Sequence, residues 1–303
     1  MTLREGVVLS VAGGRYGVFV AGERLDASIR GRLKQEGRDR VLVGDRVQIA
    51  CPDDGAATIE SVLPRVSVLK RRMPGRTHGE RPVAANVEQV IVVGAVEDPV
   101  WDFHMMDRFT AVADANQLPV VVVVNKCDLR ADADACAVPY RAAGYPVVLT
   151  SAQDDRGLDE LRGHLEGHVS LFTGPTGVGK SSLLNALQPG LRLRTGEVSM
   201  RSRGGRHTTV AAEMHAFGAD GFVVDTPGLR DIGLWGLDAG DVAAAFPEFA
   251  QHRGHCRFDD CRHLEEPGCA VAAAAQRGEI AATRLASYRK LLKESLEAAR
   301  PWS

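Results

Sequence analysis

Apolar residues recur along this chain with two different periods, and the change from one to the other divides it. From Gly6 to about Pro64 the runs are short, alternate with polar positions and are broken by glycines: Val7–Val11, Tyr16–Val20, Val41–Val43, Val47–Ile49 and Thr58–Val62. Alternation marks strands with one buried face, and five short strands in so little chain predict a small barrel. An OB-fold fits the count, and an SH3-like barrel fits it equally, because strand number does not fix connectivity. Residues 65–82, with two prolines and few apolar positions, read as a linker or exposed loop.

From Val87 onward, apolar runs alternate with helical periods. Gln89–Val96, Val120–Val124, Val147–Leu149 and Val169–Phe172 read as strands, with helices over 102–116, 133–143 and 157–165. That order predicts a parallel sheet covered on both faces by helices. A Gly-rich turn, a helix over 180–187, an arginine-rich stretch and a strand pair at 211–217 and 221–225 follow. Beyond Leu237 the chain turns helical around a cysteine cluster, ending in a helix from Ile280 to Ala299. The expected organisation is a barrel over 1–66, a basic linker over 67–85, an α/β domain over 86–237 and a helical metal-binding domain over 238–303.

Composition narrows the class without naming it. At 303 residues, with 45% hydrophobic and 25% charged content, the chain has enough apolar material for two or three cores. Its 37 basic and 39 acidic residues leave a net charge of -2, so attraction to a polyanion must come from local patches. One such patch is Arg65, Lys70, Arg71, Arg72, Arg76 and Arg81 against Glu80; another places five arginines between Arg192 and Arg206 with Glu197. Neither a leader peptide nor a membrane span is evident, so a cytoplasmic protein is expected. In a reducing compartment, Cys256, Cys261 and Cys269 beside His263 read as metal ligands, whereas Cys51, Cys127 and Cys136 show no ligand spacing.

Four segments carry chemistry. Gly174-Pro175-Thr176-Gly177-Val178-Gly179-Lys180-Ser181 follows a predicted strand and opens a helix, with Ser182 next in line. Glycines let successive N–H groups form an anion-sized nest, and the helix N-terminus adds its positive end. Lys180 is expected on the β and γ phosphates and Ser181 on Mg²⁺. Asp225-Thr226-Pro227-Gly228 ends another strand about 45 residues later, which suits Asp225 to Mg²⁺ and the Gly228 amide to a γ-phosphate. Asn125-Lys126-Cys127-Asp128 also ends a strand. There the Asp128 carboxylate can accept from two donors on the guanine edge, Lys126 can lay its stem along the base, and Asn125 can tie this loop to the phosphate loop. Ser151-Ala152, one strand-helix-strand unit later, can offer an amide to the guanine O6.

These are the parts of a guanine-nucleotide site, but the base-reading motifs precede the phosphate loop. The order is circularly permuted. Thr208 and Thr209 lie where a threonine closes over Mg²⁺ and γ-phosphate, and His207 is the nearest candidate to orient water. Gly228 is followed by Leu229, whose side chain cannot orient water, so unaided hydrolysis should be slow. A nucleotide-gated RNA scaffold with incidental hydrolysis is therefore a rival reading. Cys256-x4-Cys261-x-His263-x5-Cys269 offers three thiolates and an imidazole, the closed four-ligand set of a structural zinc site.

The permuted order, GPTGVGKSSLLN (174–185), GRHTT (205–209), DTPGLRDIGLW (225–235), CRFDDCRHLEEPGCAV (256–271) and AANVEQVIVV (84–93) together resemble the ribosome small-subunit-dependent GTPase family, RsgA, also called YjeQ or EngC. The resemblance covers nearly the whole chain. It implies that the barrel is an OB-fold; a monomer that uses Mg²⁺ with GTP or GDP and carries one structural zinc is expected. It also implies a late role in small-subunit maturation, stimulation by that subunit and contact with ribosomal RNA through the flanking domains. The zinc segment argues against a permuted GTPase of the large subunit. Thr176 stands where the family usually has serine, and the barrel starts almost at Met1, without the long basic tail of some members.

Overall fold

The computed structural model describes residues 3–30, 41–51, 56–72, 80–191, 193, 212–225 and 237–299. The N-terminal unit contains β1 (Leu3–Ala12), β2 (Arg15–Val20), β3 (Glu23–Ile29), β4 (Arg46–Ala50) and β5 (Ala57–Val62). β1 pairs with both β2 and β4, β3 runs parallel to β5, and β5 returns antiparallel to β4. The ring β1-β2-β3-β5-β4-β1 is a closed Greek-key barrel, which settles the connectivity as OB-like. Val8, Val18, Val47, Ile49 and Ile59 fill it, fully buried.

Three expectations are corrected here. Glu23–Ile29 is a strand that the apolar pattern does not announce, because among its side chains only Ala27 is fully buried. Its place is set by pairing with β2 and β5, not by side-chain bulk. Val41–Val43, expected as a strand, is a buried connection outside the regular strands. Asp45 accepts from the Leu42 amide (2.7 Å), and the Val43 carbonyl accepts from the Ala85 amide (2.8 Å) in an isolated bridge to β7, so these polar groups are paired without a full ladder. The presumed linker is a hairpin, β6 (Val68–Arg72) and β7 (Glu80–Ala85), with Leu69, Ala84 and Ala85 buried. Arg65, counted in the basic patch, grips the buried Asp45 with two nitrogens at 2.7 and 2.9 Å.

The central domain runs β8 (Gln89–Ala95), α1 (Phe103–Ala115), β9 (Val120–Asn125), α2 (Asp134–Ala142), β10 (Val147–Leu149), α3 (Leu158–Leu165), β11 (Val169–Thr173), α4 (Lys180–Leu187), β12 (Glu213–Phe217) and β13 (Gly221–Asp225). Strand order is β10-β9-β8-β11-β13-β12, parallel except for β12, which also touches β1 at Ser10. Unbroken valine runs make sense for strands covered on both sides. Val90, Val92, Val122 and Val124 pack under α1 and α2, while Ile91, Val93, Val121 and Val123 pack with α3 and α4.

The C-terminal unit contains α5 (Ala239–Ala244), α6 (Ala250–Arg253), α7 (Ala270–Gln276) and α8 (Ala282–Ala298). Asp238 and Asp241 close a reciprocal capping box at the start of α5. The core of this unit, including Phe246, Phe249, Val271, Tyr288 and Leu291, also takes in Ala111 of α1, so the helices rest on the central domain. Among the described residues no helix is long and apolar enough to cross a membrane.

Candidate nucleotide site and metal centre

Parallel strands end together, so the loops after β8, β9, β10 and β11 meet along one edge of the sheet, where ligands of such sheets bind. The turn after β11 is shaped by glycine. Gly174 has φ +136°, and a Cβ there would lie 2.0 Å from the Val93 carbonyl oxygen of neighbouring β8. Gly179 has φ +95°, and its Cβ would lie 2.5 Å from Nδ2 of Asn125 and 4.0 Å from Cε of Lys126. Only glycine lets this loop press against two neighbouring strands at once. Lys180, at the first position of α4, folds back so that Nζ donates to the carbonyls of Gly174 and Pro175, both at 2.7 Å. Ser181 and Ser182 follow in the same first turn, and Val178 is buried beneath the loop. Pro175 and Thr176 form its outer rim.

The loop after β9 is tied to this turn. Asn125, 2% exposed, donates from Nδ2 to the Val178 carbonyl at 2.8 Å and accepts from the Thr150 hydroxyl at 3.0 Å. Lys126 takes a left-handed backbone (φ +59°), and its Nζ donates to the Asp98 carbonyl. Asp128 projects exposed from the short turn Cys127–Leu129, which the Thr150 carbonyl holds through the Cys127 amide at 3.1 Å. Ser151 is buried, its hydroxyl accepting from the amides of Gln153 and Asp154, and Ala152 packs against the core beside α3 and α4. The structure thus brings Asn125, Lys126, Asp128, Ser151, Ala152 and the whole 174–182 turn to one sheet edge. Asp225 ends β13, two strands from β8, on that edge. His207, Thr208, Thr209 and Gly228 fall outside the described residues.

Two contributors escaped the motif reading. Thr150 orients Asn125, and the loop 96–101 reaches both Lys126 and the phosphate loop: Pro99 Cδ lies 3.5 Å from where a Cβ on Gly177 would sit. A cleft of about 210 Å³ opens between this loop and the turn, lined by Gly94, Trp101, Met105, Met106, Pro175 and Val178. The only signal in the sequence was position, since Glu97-Asp98-Pro99 follows a strand end on the ligand edge.

The second site lies in the helical unit. The ligand atoms of Cys256, Cys261, His263 and Cys269 all fall within 4.8 Å of one another, a set able to hold a metal ion. Nδ1 of His263 is 3.6, 3.5 and 3.4 Å from the sulfurs of Cys256, Cys261 and Cys269. Local backbone brings them there: His263 itself is left-handed (φ +59°), and Cys269 caps α7 by accepting from the Ala272 amide. The Ala270 amide donates to the Cys256 sulfur at 3.4 Å. Phe249 and Tyr288 wall the imidazole, and Arg289 Nε holds the His263 carbonyl at 3.0 Å.

A phosphate turn after one parallel strand, hydrogen-bonded to a base-reading loop that comes earlier in the chain, defines a circularly permuted P-loop GTPase. A profile described as the RsgA GTPase matches residues 62–235. The small ribosomal subunit biogenesis GTPase RsgA of Gemmatimonas aurantiaca is 49% identical over 300 residues, covering 97% of this chain and 98% of that one. Its counterpart from Moorella thermoacetica is 42% identical over 99% of this chain and 100% of its own. The crystal structure of YjeQ from Thermotoga maritima superposes with a TM-score of 0.79 at 35% identity, covering 99% and 100% of the two chains. YloQ, a circularly permuted GTPase, gives 0.72 at 26% identity over 99% and 97%. The chain belongs to the RsgA GTPase family and is a GTP phosphohydrolase.

Proposed function

We propose that this protein hydrolyses GTP to GDP and phosphate as a late maturation factor of the small ribosomal subunit, working as a cytoplasmic monomer that contacts ribosomal RNA. The observation that carries the reading is the buried hydrogen bond from Asn125 to the Val178 carbonyl, which fixes a guanine-reading loop against a phosphate-binding turn. In this assignment the backbone N–H groups of residues 176–181 and the Lys180 ammonium take the phosphates, Asp128 reads the base, and the Ser151-Ala152 backbone reads its O6. Ser181 and Asp225 would hold Mg²⁺, which supplies charge neutralisation on the phosphates. Thr208 or Thr209 and the Gly228 amide close on the γ-phosphate, and His207 orients water in place of the glutamine that Leu229 displaces.

The metal in the helical unit is zinc in this reading. Zn–S and Zn–N bonds of about 2.3 and 2.0–2.1 Å at a tetrahedral angle place sulfur and nitrogen about 3.5 Å apart. The three separations of 3.4–3.6 Å between Nδ1 and the sulfurs fit that figure. A filled four-ligand shell leaves no position for a reacting water, so the zinc would act in folding and docking. GTP turnover measured with and without purified small subunits tests the function. Stimulation by small but not large subunits is expected; its absence would leave a nucleotide-gated scaffold as the better account.

A further inference from the structure

Arg284 of α8 is 0% exposed, an unusual place for a guanidinium. Nη1 donates to Oδ1 of Asp107 on α1 at 2.7 Å, while Nε and Nη2 grip Glu248, between α5 and α6, at 2.7 and 3.1 Å. The Phe246 ring lies 4.4 Å from its central carbon, and the rings of Tyr140 and Tyr145 lie at 5.7 and 5.6 Å. One side chain therefore joins the metal-binding helical unit to α1 and to Tyr140 of α2 in the G domain. Packing alone does not require ions here, since a buried pair of this kind often contributes no more stability than apolar residues of similar volume. What the fork adds is a single permitted orientation.

That orientation leads to the nucleotide site through contacts already in place. Asp107 directly follows Met106, whose sulfur lies 2.9 Å from where a Cβ on Gly94 of β8 would sit. Trp101, in the loop leading into α1, fills the rest of that space, and both residues line the cleft shared with Pro175 and Val178. Val93, next to Gly94, is the residue on which Gly174 closes. We infer that Arg284 is a positioning residue for hydrolysis, coupling the zinc unit to the phosphate turn through Asp107, α1 and Gly94. The inference rests on the GTPase reading above and adds to it the route by which docking of one unit reaches the other's chemistry.

Linkage makes the coupling testable from either end. Hydrogen exchange of α8 is followed with and without a non-hydrolysable GTP analogue, in the native protein and in the triple variant Arg284→Met, Asp107→Asn, Glu248→Gln, which removes all three charges together. In the native protein the analogue should slow exchange over the first turns of α8 by roughly fivefold or more. In the triple variant that protection should vanish, while metal content and nucleotide affinity stay within about twofold of native. With small subunits, the variant should lose kcat and keep the subunit KM. If the triple variant loses its metal, Arg284→Lys is read instead; it keeps the charge, lacks the fork and should show reduced coupling. An α8 that ignores the analogue in native protein, or responds equally in the variants, overturns the inference. A native protein that shows the exchange response but no stimulation by subunits refutes the ribosomal reading and leaves this coupling standing.

Discussion

Asn125→Ala is the sharpest probe of how the two nucleotide-reading loops are held together. The substitution strips the Val178 carbonyl and the Thr150 hydroxyl of a buried partner in one step. A buried polar group left unpaired costs on the order of 1–3 kcal/mol, so the folded state should lose roughly 2–4 kcal/mol once partial relaxation is allowed. At about 2–4 °C per kcal/mol for a domain of this size, the G domain should melt roughly 4–16 °C earlier. Nucleotide affinity should fall as well, because the Val178 bond preorganises the phosphate turn. If only that bond's share, about 1–2 kcal/mol, must be restored on binding, Kd for GDP rises roughly 5- to 30-fold. Titration with a fluorescent GDP analogue and a melting curve measure the two effects separately. Asn125→Asp sharpens the contrast: it keeps the shape but sets an acceptor against the Val178 acceptor, so it should bind GDP no better than the alanine variant. Thr150→Val, which removes only the partner of Oδ1, should lower the melting point while affecting Kd by less than about threefold. Native affinity in both Asn125 variants would refute the claim that this hydrogen bond shapes the site.

Asp128→Asn should shift preference from guanine to xanthine nucleotides, since the amide presents a donor where guanine needs an acceptor; competition binding reads the outcome, and unchanged GTP preference would contradict the assignment. Cys261→Ala should release zinc and abolish subunit stimulation while sparing GDP binding, as measured by metal analysis and turnover; full stimulation without metal would oppose a docking role. Burial raises the Asp114 carboxyl to about 6, against the favourable Tyr145 hydroxyl bond and the pull of Arg284. A raised acid binds its proton more tightly in the folded state, so the stability it contributes is present below about pH 4 and lost as pH rises to about 6, up to ~3 kcal/mol in total. Asp114→Asn should remove that slope from denaturant-measured stability between those limits, and an unaltered slope would exclude Asp114 as its source.

Legibility followed the range of each interaction. The helices of the central domain and their strands were readable because each buries a periodic apolar face, and the observed bounds of α1, α2, α3 and α4 lie within a residue or two of the periodic segments. The placement of residues 174–182 and 125–128 at strand ends on one sheet edge was readable because both are local strings that follow apolar strands. Glu23–Ile29 was opaque for the opposite reason: its side chains are mostly exposed, and its strand character comes from backbone pairing with β2 across a tight turn and with the more distant β5. The hairpin at Val68–Ala85 was masked by its own arginines, which say where charge is and nothing about pairing. Arg65 and Asp45, twenty residues apart, gave no hint of their ion pair, and neither did Arg284 and Asp107, 177 apart. Thr150 and the Asp98 carbonyl were equally hidden, because an orienting hydroxyl or a backbone acceptor has no spacing rule.

Permutation itself has a structural consequence. In a sheet, strand neighbours matter and chain order does not, so the base-reading loops after β9 and β10 serve the phosphate turn after β11 as well from upstream as from downstream. The exit from the sheet is what changes. β13, ending at Asp225, becomes the last strand, and residues 226–236 are all that separates it from the helical unit beginning at Leu237. That unit is then held to the G domain by this covalent connection from the sheet edge and by contacts on α1, namely the Arg284–Asp107 and Arg108–Glu294 ion pairs and the packing around Ala111. α1 lies between β8 and β9, on the far side of the phosphate turn from β13. In the coupling inferred above, attachments on both sides of the phosphate turn convert a displacement of the helical unit into a change in spacing across the nucleotide edge. The coupling inferred for Arg284 uses the attachment on α1, and permutation supplies the one at the other side of the phosphate turn.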